Sequence, residues 1–181
     1  MAVARTPGSN RFNTNGSGRG PMKVLSLLRH ATAVRDPRFL DFDRPLEPSG
    51  ERDAMRLGAR LRDTQSGFDQ IICSPAVRTS RTASLLLQAM GLQQPVLELE
   101  KALYTSSVDR LLRIIARVDD SVERLLIVGH NPELSELAIL LSADAEELSP
   151  CTLVNLRWES IGWLGFELTR PAAVSILRPP H

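Results

Sequence analysis

Three stretches of the chain end in side chains able to handle a charged group. "KVLSLLRH" (23–30) runs apolar until Arg29 and His30, and "RLLIVGH" (124–130) ends on His130. "CSPAVR" (73–78) brings in Arg78 just after a third apolar run, "FDQIICS" (68–74). Polar residues that follow at once on apolar ones are costly to bury without partners, so such strand ends invite a site. The residue types agree with one another. A guanidinium is a planar fork of donors that matches phosphate oxygens, and an imidazole can attack phosphorus or hydrogen-bond to it; the ligand this set suits is a phosphoryl group. Taken singly, a histidine after a strand or an arginine at a helix start is usually structural or solvated. Four at equivalent strand ends point to chemistry.

These residues need a sheet to bring them together. The three runs have strand character and are separated by helical patterns, the spacing of crossover units and a largely parallel sheet. In such sheets ligands gather outside the carboxyl ends of the strands, where helix N-termini point unpaired N–H groups. A first helix is expected from near Ser49 through "GERDAMRLGARLRDT", with Ala54, Leu57, Gly58 and Leu61 on one face. The second takes Ser74 as N-cap, Pro75 as its first residue and Gly91 as its terminator. "SVDRLLRIIARV" lines up Leu111, Leu112, Ile115 and Val118 as a core stripe; a fourth helix repeats the capping device with Asn131 and Pro132 and buries Leu134, Leu137 and Leu141. Capping explains positions 74–75 and 131–132 without a catalytic role. Beyond Pro150, "TLVNLRW" and "LGFELT" alternate as a hairpin does, and "AVSIL" offers a last strand.

Composition narrows the partners. With 181 residues, 22 Lys and Arg against 21 Asp and Glu, and 4% aromatics, the chain has neither a basic nucleic-acid face nor a stacking platform. Two distant cysteines and three histidines without ligand spacing argue against a disulfide framework or a zinc site. No apolar run is long enough to span a bilayer, and the first segment lacks the apolar core of a secretory signal, so the expected setting is cytoplasmic, with no membrane partner. Residues 1–21, rich in Gly, Ser and Asn and free of acid, read as a disordered leader, with Met22 as an alternative start; residues 22–181 read as one domain.

Cys73 opens a rival mechanism. Cysteine-dependent phosphatases set five residues between the Cys and Arg of their phosphate loop, whereas "CSPAVR" has four, and a proline after Ser74 favours helix initiation over a cradle of N–H groups. Cys73 is then simply a buried strand residue.

Four ordered blocks resemble another family, the histidine phosphatases of the phosphoglycerate mutase-like superfamily, and in particular their small SixA-type branch. "LLRHATA" resembles the family's Arg-His-Gly signature, "DFDRPLEPSG" the branch's Asp-x-x-Arg-Pro-Leu segment, "CSPAVRTSRTA" its Ser-Pro-x-x-Arg-x-x-x-Thr helix start, and "LLIVGHNPELSELA" its second-histidine segment. The resemblance covers about residues 22–142. It implies a three-layer α/β sandwich with a mostly parallel central sheet flanked by helices. It also implies that His30 is a nucleophile forming a phosphohistidine, with Arg29, Arg78 and His130 binding the phosphoryl oxygens. No metal or cofactor is then required, because the two arginines and the second histidine supply the charge that magnesium supplies elsewhere.

The departures from that pattern matter. Ala31 stands for the signature glycine, and Arg81 stands where relatives often carry Gln, adding charge near the pocket. "YTSS", Tyr104 to Ser107, occupies the place of a general-acid Glu, and Asp36, Asp43, Glu98 and Glu100 are carboxylates without an assigned position. A leaving group that departs easily needs less help, which favours protein phosphohistidine, or else a small phosphorylated metabolite. The competing expectation is a phosphate-sensing or docking module that keeps the pocket without turnover.

Overall fold

The computed structural model describes residues 22–64, 67–92, 96–159 and 161–180. The expected leader, 1–21, lies outside the described residues. In chain order come β1 (Met22–Arg29), α1 (Pro48–Asp63), β2 (Gln70–Cys73), α2 (Val77–Met90), β3 (Val96–Leu99), α3 (Val108–Ile115), β4 (Arg124–Gly129), α4 (Glu133–Leu141), β5 (Leu153–Glu159) and β6 (Ala173–Leu177). The sheet runs β3-β2-β4-β1-β5-β6. Its first four strands are mutually parallel, and β5 and β6 are each antiparallel to the neighbour before them.

Alternation along the strands builds two cores. Leu25, Leu27, Leu125 and Ile127 face α3 and α4, together with Trp158, Trp163 and Phe166. Leu28, Ile71, Leu126 and Val128 face α1 and α2. Because β1 and β4 are buried on both faces, they read in sequence as unbroken apolar runs rather than alternating ones. The result is the expected three-layer sandwich. Helices α1 and α2 pack closely because a Cβ at Gly58 would lie 2.4 Å from the Leu86 carbonyl oxygen, and Gly91 ends α2 in the left-handed region at φ 70°.

Several expectations need correction. β3 was not foreseen: it is a four-residue edge strand with Leu97 and Leu99 exposed, too short and too open to announce itself. "LGFELT" is no strand. Gly165 takes φ 77°, Phe166–Leu168 form a 3-10 turn, and Phe166 packs edge-on against Trp158 at 5.5 Å, so the hairpin is β5 with β6 instead. Helices α2 and α4 begin at Val77 and Glu133, with Ala76 and Pro132 as their N-caps, later than the cap signals suggest. The Asn131 amide donates to the Leu148 carbonyl at 2.9 Å.

Candidate active site

Strand register places the two histidines together. Arg29 pairs with Gly129, so the next residues of β1 and β4 leave the sheet side by side, and the His30 N–H donates to the Gly129 carbonyl at 3.1 Å. Their ring centroids are 5.3 Å apart, edge to face. Arg78 projects from the first turn of α2 and Arg29 from the end of β1. All four expected residues line one cavity of about 440 Å³.

Hydrogen bonds settle which nitrogens carry protons. The His30 Nδ1 lies 2.8 Å from the Ala31 carbonyl oxygen, which can only accept; Nδ1 is therefore the donor and Nε2 keeps its lone pair. Arg78 Nη2 lies 3.2 Å from His130 Nδ1, and a guanidinium can only donate. His130 therefore carries its proton on Nε2 and donates it to Ser74 Oγ at 2.8 Å. Ser74, fully buried, is more than a helix signal: it holds the second imidazole. Ala31 is buried in the α1/α2 core, and its N–H donates to Thr82 Oγ1 at 3.0 Å, so a methyl group is accommodated where the signature has glycine.

Sequence reasoning missed Asp41, although "DFDRPL" was singled out. A 3-10 turn, Asp41–Asp43, hangs this residue over the cavity. Its backbone oxygen accepts from Arg78 Nη1, and its Oδ2 accepts from Arg78 Nη2 at 3.0 Å and from the Tyr104 hydroxyl at 2.9 Å. Its Oδ1 accepts from Arg44 at 3.0 Å. Tyr104 stands beside His130, with ring centroids 5.8 Å apart. Glu133, at the start of α4, is the other carboxylate lining the cavity. Asp36, Asp43, Glu98 and Glu100 do not line it. Asp36 bonds Arg38, Glu98 accepts from Gln70 at 3.1 Å, and Glu100 accepts from the Ala102 N–H at 2.7 Å. Arg81 pairs with Glu51 at 2.7 Å and is absent from the cavity lining, so the charge expected there is not delivered.

The electrostatics suit an anion. Burial first, then the charges of Arg78 and Arg29, push the His30 imidazole down to about 4; burial and Arg78 push His130 down to about 3. Asp41 is raised by burial, but the hydrogen bonds from Tyr104 and Arg44 and the charge of Arg78 more than offset this and hold it at about 2. Among the described residues, the buried Nε groups of Arg29 and Arg78 have no hydrogen-bond partner. Burial pushes the Cys73 thiol up to about 12, which removes the thiolate that the rival mechanism needs.

One consequence is measurable. In phosphate-free protein the His30 and His130 ring resonances should not titrate between pH 5.5 and 8; a midpoint near 6.5 for either would contradict the buried neutral pair. The linkage has a definite sign. Both folded values lie below the unfolded value near 6.5, so the unfolded chain takes up protons first on acidification, and the pair's contribution to stability is lost as pH falls from about 6.5 through 4 towards 3.

An α/β sandwich that gathers two histidines and two arginines in one cavity, at the ends of β1 and β4 and in the first turn of α2, is suited to an anionic ligand. Comparison with known proteins agrees. The sequence model of the histidine phosphatase superfamily (branch 1) matches residues 25–104. An uncharacterized protein of Mycobacterium tuberculosis is 37% identical over 116 residues, covering 64% of this chain and 70% of the relative. Among solved structures, a protein assigned as phosphohistidine phosphatase SixA from Nakamurella multipartitia superposes with a TM-score of 0.72 at 28% identity, over 89% of this chain and 98% of that one. A phosphoglycerate mutase from Bacillus anthracis shares the fold, with a TM-score of 0.57 at 16% identity over 78% of this chain and 90% of that one. The chain belongs to the histidine phosphatase superfamily, in its SixA-type branch. Its class of activity is that of a phosphatase, acting on a phosphorylated substrate.

Proposed function

We propose that this protein is a phosphatase that works through a phosphohistidine on His30, with protein phosphohistidine or a small phosphoester as substrate. The observation that carries the reading is the His30 tautomer: with Nδ1–H spent on the Ala31 carbonyl, the Nε2 lone pair is the free nucleophile beside two guanidinia. Nε2 forms a bond to phosphorus as the bond to the leaving group breaks, and the leaving atom takes the electron pair and then a proton. Water attacks the phosphohistidine in turn, releasing phosphate and restoring His30. Arg29 and Arg78 stabilise the equatorial oxygens. Asp41 holds Arg78 from its outer side. His130 faces Arg78 with an acceptor nitrogen, so an entering dianion, which favours the imidazolium, turns it into a donor.

The direct test is incubation with a radiolabelled phosphoryl donor. Acid-labile, alkali-stable label on His30 that turns over to phosphate supports the reading. Saturable phosphate binding without label or hydrolysis would make the protein a sensing module instead.

Asp41 is held ionised and Tyr104 spends its proton on it, so neither readily protonates a leaving group. Turnover should therefore depend steeply on leaving-group pKa, with phosphohistidine and aryl phosphates cleaved much faster than alkyl phosphates. The slope should be unchanged in Glu133→Gln. A shallow wild-type slope that steepens in that variant would place the acid at Glu133. Because the positive charge comes from arginines, saturating EDTA should leave turnover unchanged, and added magnesium or zinc should not raise it.

A further inference from the structure

A second cavity, of about 460 Å³, opens on the α1/α2 face of the sheet at the end away from the histidines. Strand register explains its character. The residues facing this side form rows across β1, β5 and β6: Leu28, Leu153 and Leu177 near the catalytic end, then Ser26, Asn155 and Ser175, then Val24, Arg157 and Ala173. Arg124 of β4 joins the last row opposite Val24. One face of one sheet thus passes from apolar to polar to cationic. The leucine row packs into the core beneath the helices. Helix α1 stops at Asp63, so Asn155, Arg157 and Ser175 stay partly or wholly exposed as a floor beside the buried Ser26 and Leu61, with the half-buried Phe68 as an apolar wall.

The donor balance is one-sided. Among the described residues, no Asp or Glu lines the cavity. Among the described residues the Arg124 guanidinium makes no hydrogen bond or ion pair, and Arg157 reaches only Glu159, at 3.8 Å. Ser26 Oγ donates to Asn155 Oδ1 at 2.6 Å, and the Asn155 amide nitrogen donates a long bond to Ser175 Oγ at 3.5 Å. The two arginines stand two strand spacings apart, ~10 Å between backbones, close enough for their long side chains to converge on one phosphate. The arginines with Asn155 and Ser175 suit an anion with further polar atoms, and Phe68 suits a flat apolar part.

We propose that this cavity binds a nucleoside monophosphate, with its phosphate between Arg124 and Arg157, its ribose over Asn155 and Ser175 and its base against Phe68. The site is separate from the catalytic pocket: Val24 lies six residues along the chain from His30, ~20 Å at strand rise. It stands whether or not His30 is the nucleophile.

Backbone amide spectra of the full chain, titrated with AMP and separately with inorganic phosphate, read the two sites independently. AMP should give saturable shifts at Ser26, Arg124, Asn155 and Ser175, with at least tenfold higher affinity there than phosphate. In the Arg124→Gln/Arg157→Gln double variant that affinity should fall at least tenfold, while phosphate still shifts His30 and Gly129, which also shows that the variant is folded. AMP shifts confined to the catalytic end would overturn the proposal. So would equal affinity for AMP and phosphate, because the apolar wall would then play no part, or AMP binding unaltered in the double variant. If the double variant fails to fold, Ser175→Leu, which fills the exposed floor, is the second test and should weaken AMP to the same extent.

Discussion

Replacing His30 with alanine is expected to lower phosphatase turnover more than about a thousandfold, since the covalent path disappears and only the binding charges remain. The fold should survive. His30 leaves the sheet at the end of β1, half-buried, and the backbone bond that anchors it, from its N–H to the Gly129 carbonyl, is independent of the side chain. The losses are the Nδ1 bond to Ala31 and the edge contact with His130. Removing a depressed imidazole should also shift the acid side of the stability profile, with less stability lost between pH 6.5 and 4 than in the parent chain. The check is turnover, phosphoryl label and melting temperature on the same preparation. Near-normal turnover at an unchanged melting temperature would mean that His30 is not the nucleophile.

The second large effect is expected from Arg78→Lys, which keeps the charge and loses the fork. The Arg78 guanidinium donates Nη1 and Nη2 to Asp41, shares Nη2 with His130 and retains a buried Nε–H. A single ammonium cannot hold Asp41 on one side and present two fixed donors to a phosphoryl group on the other. The cost should be about 2–4 kcal/mol of transition-state stabilisation, the range for losing a preorganised donor, or roughly 30- to 1,000-fold in kcat/KM. A fall in kcat/KM with little change in melting temperature is the expected pattern. Normal kinetics would show that Arg78 serves Asp41 and the fold rather than the substrate.

Two core strands, β1 and β4, and three site candidates, Arg29, His30 and His130, were legible for one physical reason. β1 and β4 are buried on both faces, so their apolar runs are continuous, and a polar residue ending such a run stands out. β3 and the 3-10 turn at Phe166 lack that contrast. One is half exposed, and the other is set by a positive φ at Gly165 and by the packing of Phe166 against Trp158 and Trp163.

Sequence alone marked β1, β2 and β4 with helices between them, and it singled out Arg29, His30, Arg78 and His130 as candidates for a phosphoryl site. These depend on local periodicity and on residue type at the ends of runs, both of which are written along one segment at a time. Tertiary structure alone decided how those groups are protonated and held. Asp41 lies 37 residues from Arg78 and 63 from Tyr104, and Ser74 lies 56 from His130, so their hydrogen bonds exist only once the strands pair and α2 docks. Ser74 and Asn131 looked like caps because capping and side-chain bonding use the same short polar groups, and sequence carries no record of which acceptor or donor folding brings nearest. The cationic cavity at the far end has the same origin: Arg124 and Arg157 are unremarkable surface charges in sequence and become neighbours only because β4 and β5 each pair with β1 in the register that puts them in one row.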